Sequence, residues 1–207
     1  MGGDNFVMKG GDMVSGRSGA MLSYVVNVSL RRLELVLGDI TEQAVDVIVN
    51  AANRRLAGGG GVDGAIHRCG GAAIMKETRE KYPDGCKTGS AVASNAGNLK
   101  AKYVFHAVGP NWYYEPDRFD LLGLAYGSCL KLAVNLGCRS VVFPSISTGS
   151  YGYPIAESSV VAIKTVGDFL KSVDGVNSSL EFVRFCLFSE SDFAVYRESV
   201  DNYCKDN

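Results

Sequence analysis

The chain has 207 residues, 46% hydrophobic and 21% charged, with a net charge of −1. That is enough for one domain with a full core, and it leaves no global field to draw the protein to nucleic acid or an acidic membrane. Six cysteines without a Cys-x-x-Cys pair and only two histidines, His67 and His106, argue against a metal site. Several of the cysteines lie in apolar runs and read as small buried hydrophobes; unpaired thiols point to a reducing, cytoplasmic setting, and a monomer is expected.

Residues 1–21 are rich in glycine, serine and polar side chains and read as a flexible leader, with the folded domain over 22–207. The start resembles a myristoylation signal at Gly2, but Phe6 stands where Ser or Thr is required. No signal-peptide layout is present, and no apolar run is long enough to span a bilayer. Strands are predicted at 22–28, 33–37 and 45–49, the last almost wholly apolar, as for a strand covered on both faces. A helix opens at Asp63 or Gly64, breaks at Gly70-Gly71 and resumes over 72–81. A short strand at 89–94 and a stronger one at 103–108 follow. Leu122, Tyr126, Cys129, Ala133 and Leu136 mark one helical face ended by Gly137. After a strand at 140–144, Pro154 opens a helix whose inner face holds Ile155, Ser159, Ala162, Ile163, Val166, Leu170 and Val173. A strand at 181–188 and a helix at 191–203 complete an alternation that means a layered α/β domain.

Three loops stand at strand ends: Gly38-Asp39-Ile40-Thr41, residues 50–64, and residues 145–153. Ligands of open α/β sheets collect beyond the carboxyl ends of strands. Four consecutive glycines, Gly58 to Gly61, between a strand and a helix put free N–H groups at one place, a natural seat for phosphate. Two such loops can hold a diphosphate from two sides, with Asp39 accepting a hydrogen bond from a base. The Walker loop, the dinucleotide fingerprint and the nucleophile elbow are all missing. Each residue also has a plainer reading. Asp39 reads equally as a turn residue or helix cap, Asp63 as an N-cap, and Asn50 and Asn53 as partners of loop backbone. Phe188 alone reads as core, and His67 and His106 as structural residues.

The stretch Asn50-Ala51-Ala52-Asn53, then Gly58-Gly59-Gly60-Gly61-Val62-Asp63-Gly64-Ala65-Ile66-His67, resembles the signature of macrodomains, and of their MacroD-type ADP-ribose hydrolase branch in particular. Gly38-Asp39-Ile40-Thr41, residues 103–110 and residues 145–154 match in the family's order, so that the resemblance covers 33–203. It implies a three-layer α/β/α sandwich on a mixed sheet, with ADP-ribose over the strand ends. It further implies that Asp39 and Ile40 meet the adenine, with Phe188 stacking near it. Gly60, Gly61 and Val62 face the diphosphate from one side, and Ser147, Thr148, Gly149, Ser150 and Tyr151 from the other. Ser150 departs from the branched apolar residue common there. Asn50, Asn53 and Asp63 are the implied catalytic group at the distal ribose, with Tyr151 flanking it. The activity so implied is removal of mono-ADP-ribose from acidic side chains of proteins and deacetylation of O-acetyl-ADP-ribose, without cofactor or metal. The alternative is a module that binds ADP-ribose and does no chemistry. Expected partners are ADP-ribose, its esters and mono-ADP-ribosylated proteins, not membranes or nucleic acid.

Overall fold

The computed structural model describes residues 12–14 and 22–207. Among them, β1 (Asp12–Val14), β2 (Ser23–Val28), β3 (Arg31–Leu37), β4 (Val47–Ala51), β5 (Ser90–Asn95), β6 (Tyr103–Val108), β7 (Ser140–Phe143) and β8 (Phe182–Leu187) share one sheet. Their spatial order is β1-β2-β3-β8-β7-β4-β6-β5. The central five, β3, β8, β7, β4 and β6, run parallel; β1, β2 and β5 join antiparallel at the two edges. The strand β1 falls in the expected leader. The rest of that leader, including the Gly2–Phe6 stretch, lies outside the described residues.

Helices cover both faces of the sheet, as the crossovers between its parallel strands require. Successive side chains of β4 point to opposite sides. Val47 and Val49 enter a core with Leu122, Tyr126, Ala162 and Tyr196, beneath α3 (Arg118–Asn135), α4 (Ile155–Lys171) and α6 (Glu190–Asp206). Ile48 enters a second core with Ile66 and Ile74, beneath α1 (Gly61–Gly70) and α2 (Ala72–Lys81). Three layers result. Each aliphatic side chain so buried contributes roughly 1.5–3 kcal/mol, which is why a strand sealed on both faces is apolar at every position but one. The exception is Asn50, fully buried on the Ile48 side. The break between α1 and α2 falls at Gly71, whose φ of +83° closes the first helix through a bond from its N–H to the His67 carbonyl, 3.0 Å.

Some expectations needed correction. The strand predicted at 45–49 is Val47–Ala51, since Asn50 and Ala51 still pair with His106 and Ala107. Gly60, not Asp63, caps α1, and Pro154 is the N-cap of α4, not a residue of its first turn. Val173 was expected on that helix's inner face. It is exposed, because α4 stops at Lys171 and the Ser172 side chain caps a separate short helix, α5 (Val173–Asn177). Leu136 is likewise exposed, as the C-cap of α3. No helix of the described residues is long and apolar enough to cross a membrane.

Candidate functional site

The loops after β3, β4 and β7 converge on one cleft with two lobes. One lobe, of about 490 Å³, is lined by Asp39, Ile40, Val62, Arg68, Thr148 and Phe188 among others. The second, of about 240 Å³, is lined by Asn53, Asp63, Ser147, Ser150 and Tyr151 together with Gly59, Gly60 and Gly109. Gly61, Val62, Ser145 and Gly149 line both, so the lobes are continuous. Every residue predicted for the site borders this cleft except Asn50, which lies behind it.

In the first lobe Asp39 is exposed and caps a single 3₁₀ turn, Ile40–Glu42. Its Oδ1 accepts from the Thr41 backbone N–H at 2.8 Å and the Thr41 hydroxyl at 2.7 Å. Oδ2 takes no bond among the described residues, so the cap and the ligand roles are compatible on one side chain. Phe188 directly follows β8 and is 87% exposed, which rules out its reading as core and leaves an apolar ring on the cleft wall. Cys186 is buried below it; desolvation pushes its thiol up to about 12, leaving an inert side chain.

Between the lobes stands the first turn of α1, whose leading N–H groups have no partner within the helix. A Cβ built on Gly60 or Gly61 would meet nothing within 4 Å, so the glycine backbone faces open space. Across from it, the loop after β7 is pinned from below by three helices. The Tyr126 hydroxyl accepts from the Ile146 N–H at 3.0 Å, the Tyr196 hydroxyl donates to Ser145 Oγ at 2.8 Å, and the Ser158 hydroxyl reaches the Ile146 carbonyl at 3.4 Å. Ser147 holds φ at +70°, a conformation costly for a residue with a side chain, and its buried hydroxyl has no partner among the described residues. An unsatisfied donor in a strained loop facing a cleft is what a bound anion would relieve. Tyr151 is half-buried beside it, and its backbone carbonyl accepts from the Trp112 N–H at 2.9 Å.

The second lobe is where the polar residues meet. Asn53 works as a loop brace: its Oδ1 accepts from Arg55 N at 3.1 Å and Ala57 N at 3.3 Å, and its Nδ2 donates to the Gly58 carbonyl at 2.9 Å. Asp63 is buried in the first turn of α1, and its Oδ1 takes two contacts. Asn50 Nδ2 donates to it at 2.6 Å, and His67 Nε2, one helical turn on, lies 3.3 Å away. Its Oδ2 is left without a bond among the described residues, beside Gly59. Asn50 Nδ2 is also 3.2 Å from His106 Nδ1. Both histidines were read as structural. The structure brings His67 against Asp63 and His106 against Asn50. The signal for His67 was the i, i+4 spacing from Asp63 on a helix. For His106 it was parity: it shares its strand face with Val104, as Asn50 does with Ile48. Among the described residues, no group of three or more His, Cys, Asp or Glu is placed to hold a metal.

The fold and the cleft define an α/β/α domain built to hold an elongated ligand carrying a central anion, with a carboxylate at one end. The family model described as Macro domain matches residues 49–162, and the chain belongs to the macro domain family. A macro domain-containing protein of Caldanaerobacter subterraneus subsp. tengcongensis is 49% identical over 178 residues, covering 84% of this chain and 98% of its own. An O-acetyl-ADP-ribose deacetylase of Salmonella gallinarum is 52% identical over 143 residues, 67% of this chain and 79% of that one. Among solved structures, the Oceanobacillus iheyensis macrodomain with ADP superposes with a TM-score of 0.85 at 38% identity, over 91% of this chain and 100% of that one. The Trypanosoma brucei macrodomain in complex with ADP-ribose reaches 0.74 at 39% identity, over 81% of this chain and 68% of that one.

Proposed function

We propose that this protein binds ADP-ribose across the two lobes and hydrolyses its esters, releasing mono-ADP-ribose from acidic side chains of proteins and acetate from O-acetyl-ADP-ribose. The observation that carries this reading is Asp63. It is a buried carboxylate with one oxygen fixed by Asn50 and His67 and the other unbonded at the cleft end away from Phe188. Adenine takes the Asp39–Phe188 lobe, the diphosphate sits between the α1 N-terminus and the Ser147 loop, and the distal ribose reaches Asp63. The solved relatives with ADP and with ADP-ribose support the placement of the nucleotide, and the deacetylase relative supports the chemistry.

Both substrates are esters on the same ribose, so one water-attack site serves both. Asp63 Oδ2 accepts a hydrogen from the attacking water. Asn53 keeps the loop under the sugar in place, and the glycine N–H groups hold the phosphates so that the ester meets the water at a fixed angle. Among the described residues no cysteine or lysine lines the Asp63 lobe, and none of its serines is hydrogen-bonded to a histidine or carboxylate, so a covalent intermediate is not part of the scheme. The test is to incubate the protein with glutamate-linked mono-ADP-ribosylated protein, and separately with O-acetyl-ADP-ribose, and to weigh the products. Wild-type protein should release ADP-ribose in both. Asp63→Ala should lower turnover by about 10²-fold or more and leave ADP-ribose binding within a few-fold. Binding without release by the wild-type protein would make it a reader of ADP-ribose, not an enzyme.

A further inference from the structure

Behind Asp63 runs a chain of buried polar groups that does not reach the cleft. The Ser94 hydroxyl on β5 donates to the Asn95 carbonyl at 3.0 Å and lies 2.9 Å from His106 Nε2. The His106 ring, 1% exposed, places Nδ1 at 3.2 Å from Asn50 Nδ2, and Asn50 Nδ2 is 2.6 Å from Asp63 Oδ1. Asn50 and His106 are register partners on β4 and β6, which is what brings the two side chains together under α1.

The protons in this chain can be assigned from its Asn50 end. The atom of Asn50 that faces the carboxylate must be the amide nitrogen, because an oxygen at 2.6 Å from Asp63 Oδ1 would repel it. That same nitrogen faces His106 Nδ1, so Nδ1 must be the bare, accepting atom. At the other end Ser94 Oγ is within reach of both the Asn95 carbonyl and His106 Nε2; with its hydrogen on the carbonyl, Oγ accepts from a proton on Nε2. The Asn50 end selects one neutral tautomer, and the Ser94 hydroxyl is placed to accept from it. This arrangement also spends both hydrogens of the Asn50 amide, one on His106 and one on Asp63.

We infer that His106, held as its Nε2–H tautomer by Ser94, is a positioning residue that fixes the Asn50 amide and through it aims the Asp63 carboxylate at the cleft. Without the acceptor at Nδ1, one Asn50 hydrogen is left buried and unmatched. The amide is then free to turn over, and turning it puts oxygen against oxygen at Asp63. Burial keeps the ring neutral, lowering its pKa to about 4, which preserves the bare Nδ1 at working pH. The inference rests on the hydrolytic reading for its effect on turnover, and on the structure alone for the tautomer.

Two arms test it. Imidazole ¹⁵N shifts of the labelled wild-type protein should show His106 protonated at Nε2 and bare at Nδ1. A proton at Nδ1, or a mixture of the two forms, overturns the assignment whatever the protein hydrolyses. The second arm is kinetic, on O-acetyl-ADP-ribose. His106→Leu and His106→Gln should each lower kcat by about tenfold, while KM and the Kd for ADP-ribose stay within about threefold. Gln keeps a polar atom near Ser94 but offers nothing at the Nδ1 position. His106→Asn puts its amide oxygen near that position and should recover most of the lost kcat. Equal losses in Asn and Leu, or a loss carried by KM, would mean that His106 only fills the core. If the wild-type protein shows no turnover, the hydrolytic reading fails and the ¹⁵N result decides the lock by itself. If the variants do not fold, the spectrum again decides.

Discussion

His106 also makes a prediction about stability and pH. Its native imidazole titrates near 4 against 6.5 for a free one, because burial strips water from the charged form and His67 adds repulsion, only partly offset by Asp63 and Glu77. A base whose native pKa is depressed favours the native state as long as it stays neutral. The contribution is therefore complete above pH 6.5. It drains as pH falls from there toward 4, because the unfolded chain takes the proton and the native one does not. Below 4 both states are protonated and the loss stops. At pH 5 the imidazole is about 97% protonated in the unfolded chain and about 9% in the native protein, which costs roughly 2 kcal/mol relative to pH 7. Urea unfolding of wild-type protein and His106→Asn at both pH values isolates this one group, since every other group titrates in both proteins. The stability gap between them should shift against the wild type by about 2 kcal/mol on going from pH 7 to pH 5. A gap constant within about 0.5 kcal/mol would mean that the ring is charged in the native state or wetter than its 1% exposure implies.

Other outcomes follow from the cleft. Asp39→Ala removes an acceptor on the adenine side and should weaken ADP-ribose binding by about 1.5–3 kcal/mol; unchanged affinity by calorimetry in the folded variant would move the base elsewhere. Phe188→Ala should leave stability within about 0.5 kcal/mol, the ring being exposed already. The same change should cost about 1–3 kcal/mol in ADP-ribose affinity, the worth of a stacked base; a stability loss without an affinity loss would show the ring packing rather than stacking. Gly109→Ala would set a Cβ 2.1 Å from Ser147 Oγ and 2.5 Å from Ile146 Cγ2. It should cost roughly 1–3 kcal/mol of stability and displace the Ser147 loop, lowering ADP-ribose affinity. Wild-type stability and affinity in that variant would show that the loop has room to give.

What the sequence determined by itself was the set of strand ends that carry function. Four glycines in a row, and a second glycine-rich turn after an apolar strand, are visible because no packing argument needs them; the structure agrees, with Gly60 and Gly61 facing open space. The helical period also located α1 and the break after it, since glycine and periodicity are local signals. What only the tertiary structure decided was who stands beside whom. Asn50 and His106 are 56 residues apart, and that they touch depends on β4 pairing with β6 in one register. Side-chain parity gives the face but not the neighbour. For the same reason Asn50 read as a residue at the ligand, when it is buried behind Asp63. Phe188 taken alone read as core from its apolar strand, and only the family resemblance put it at the ligand; the strand ends one residue short of it and leaves the ring in the open. Local chemistry writes loops and turns into the chain. Contacts across the sheet are set by burying two apolar faces at once, and that is a property of the whole fold.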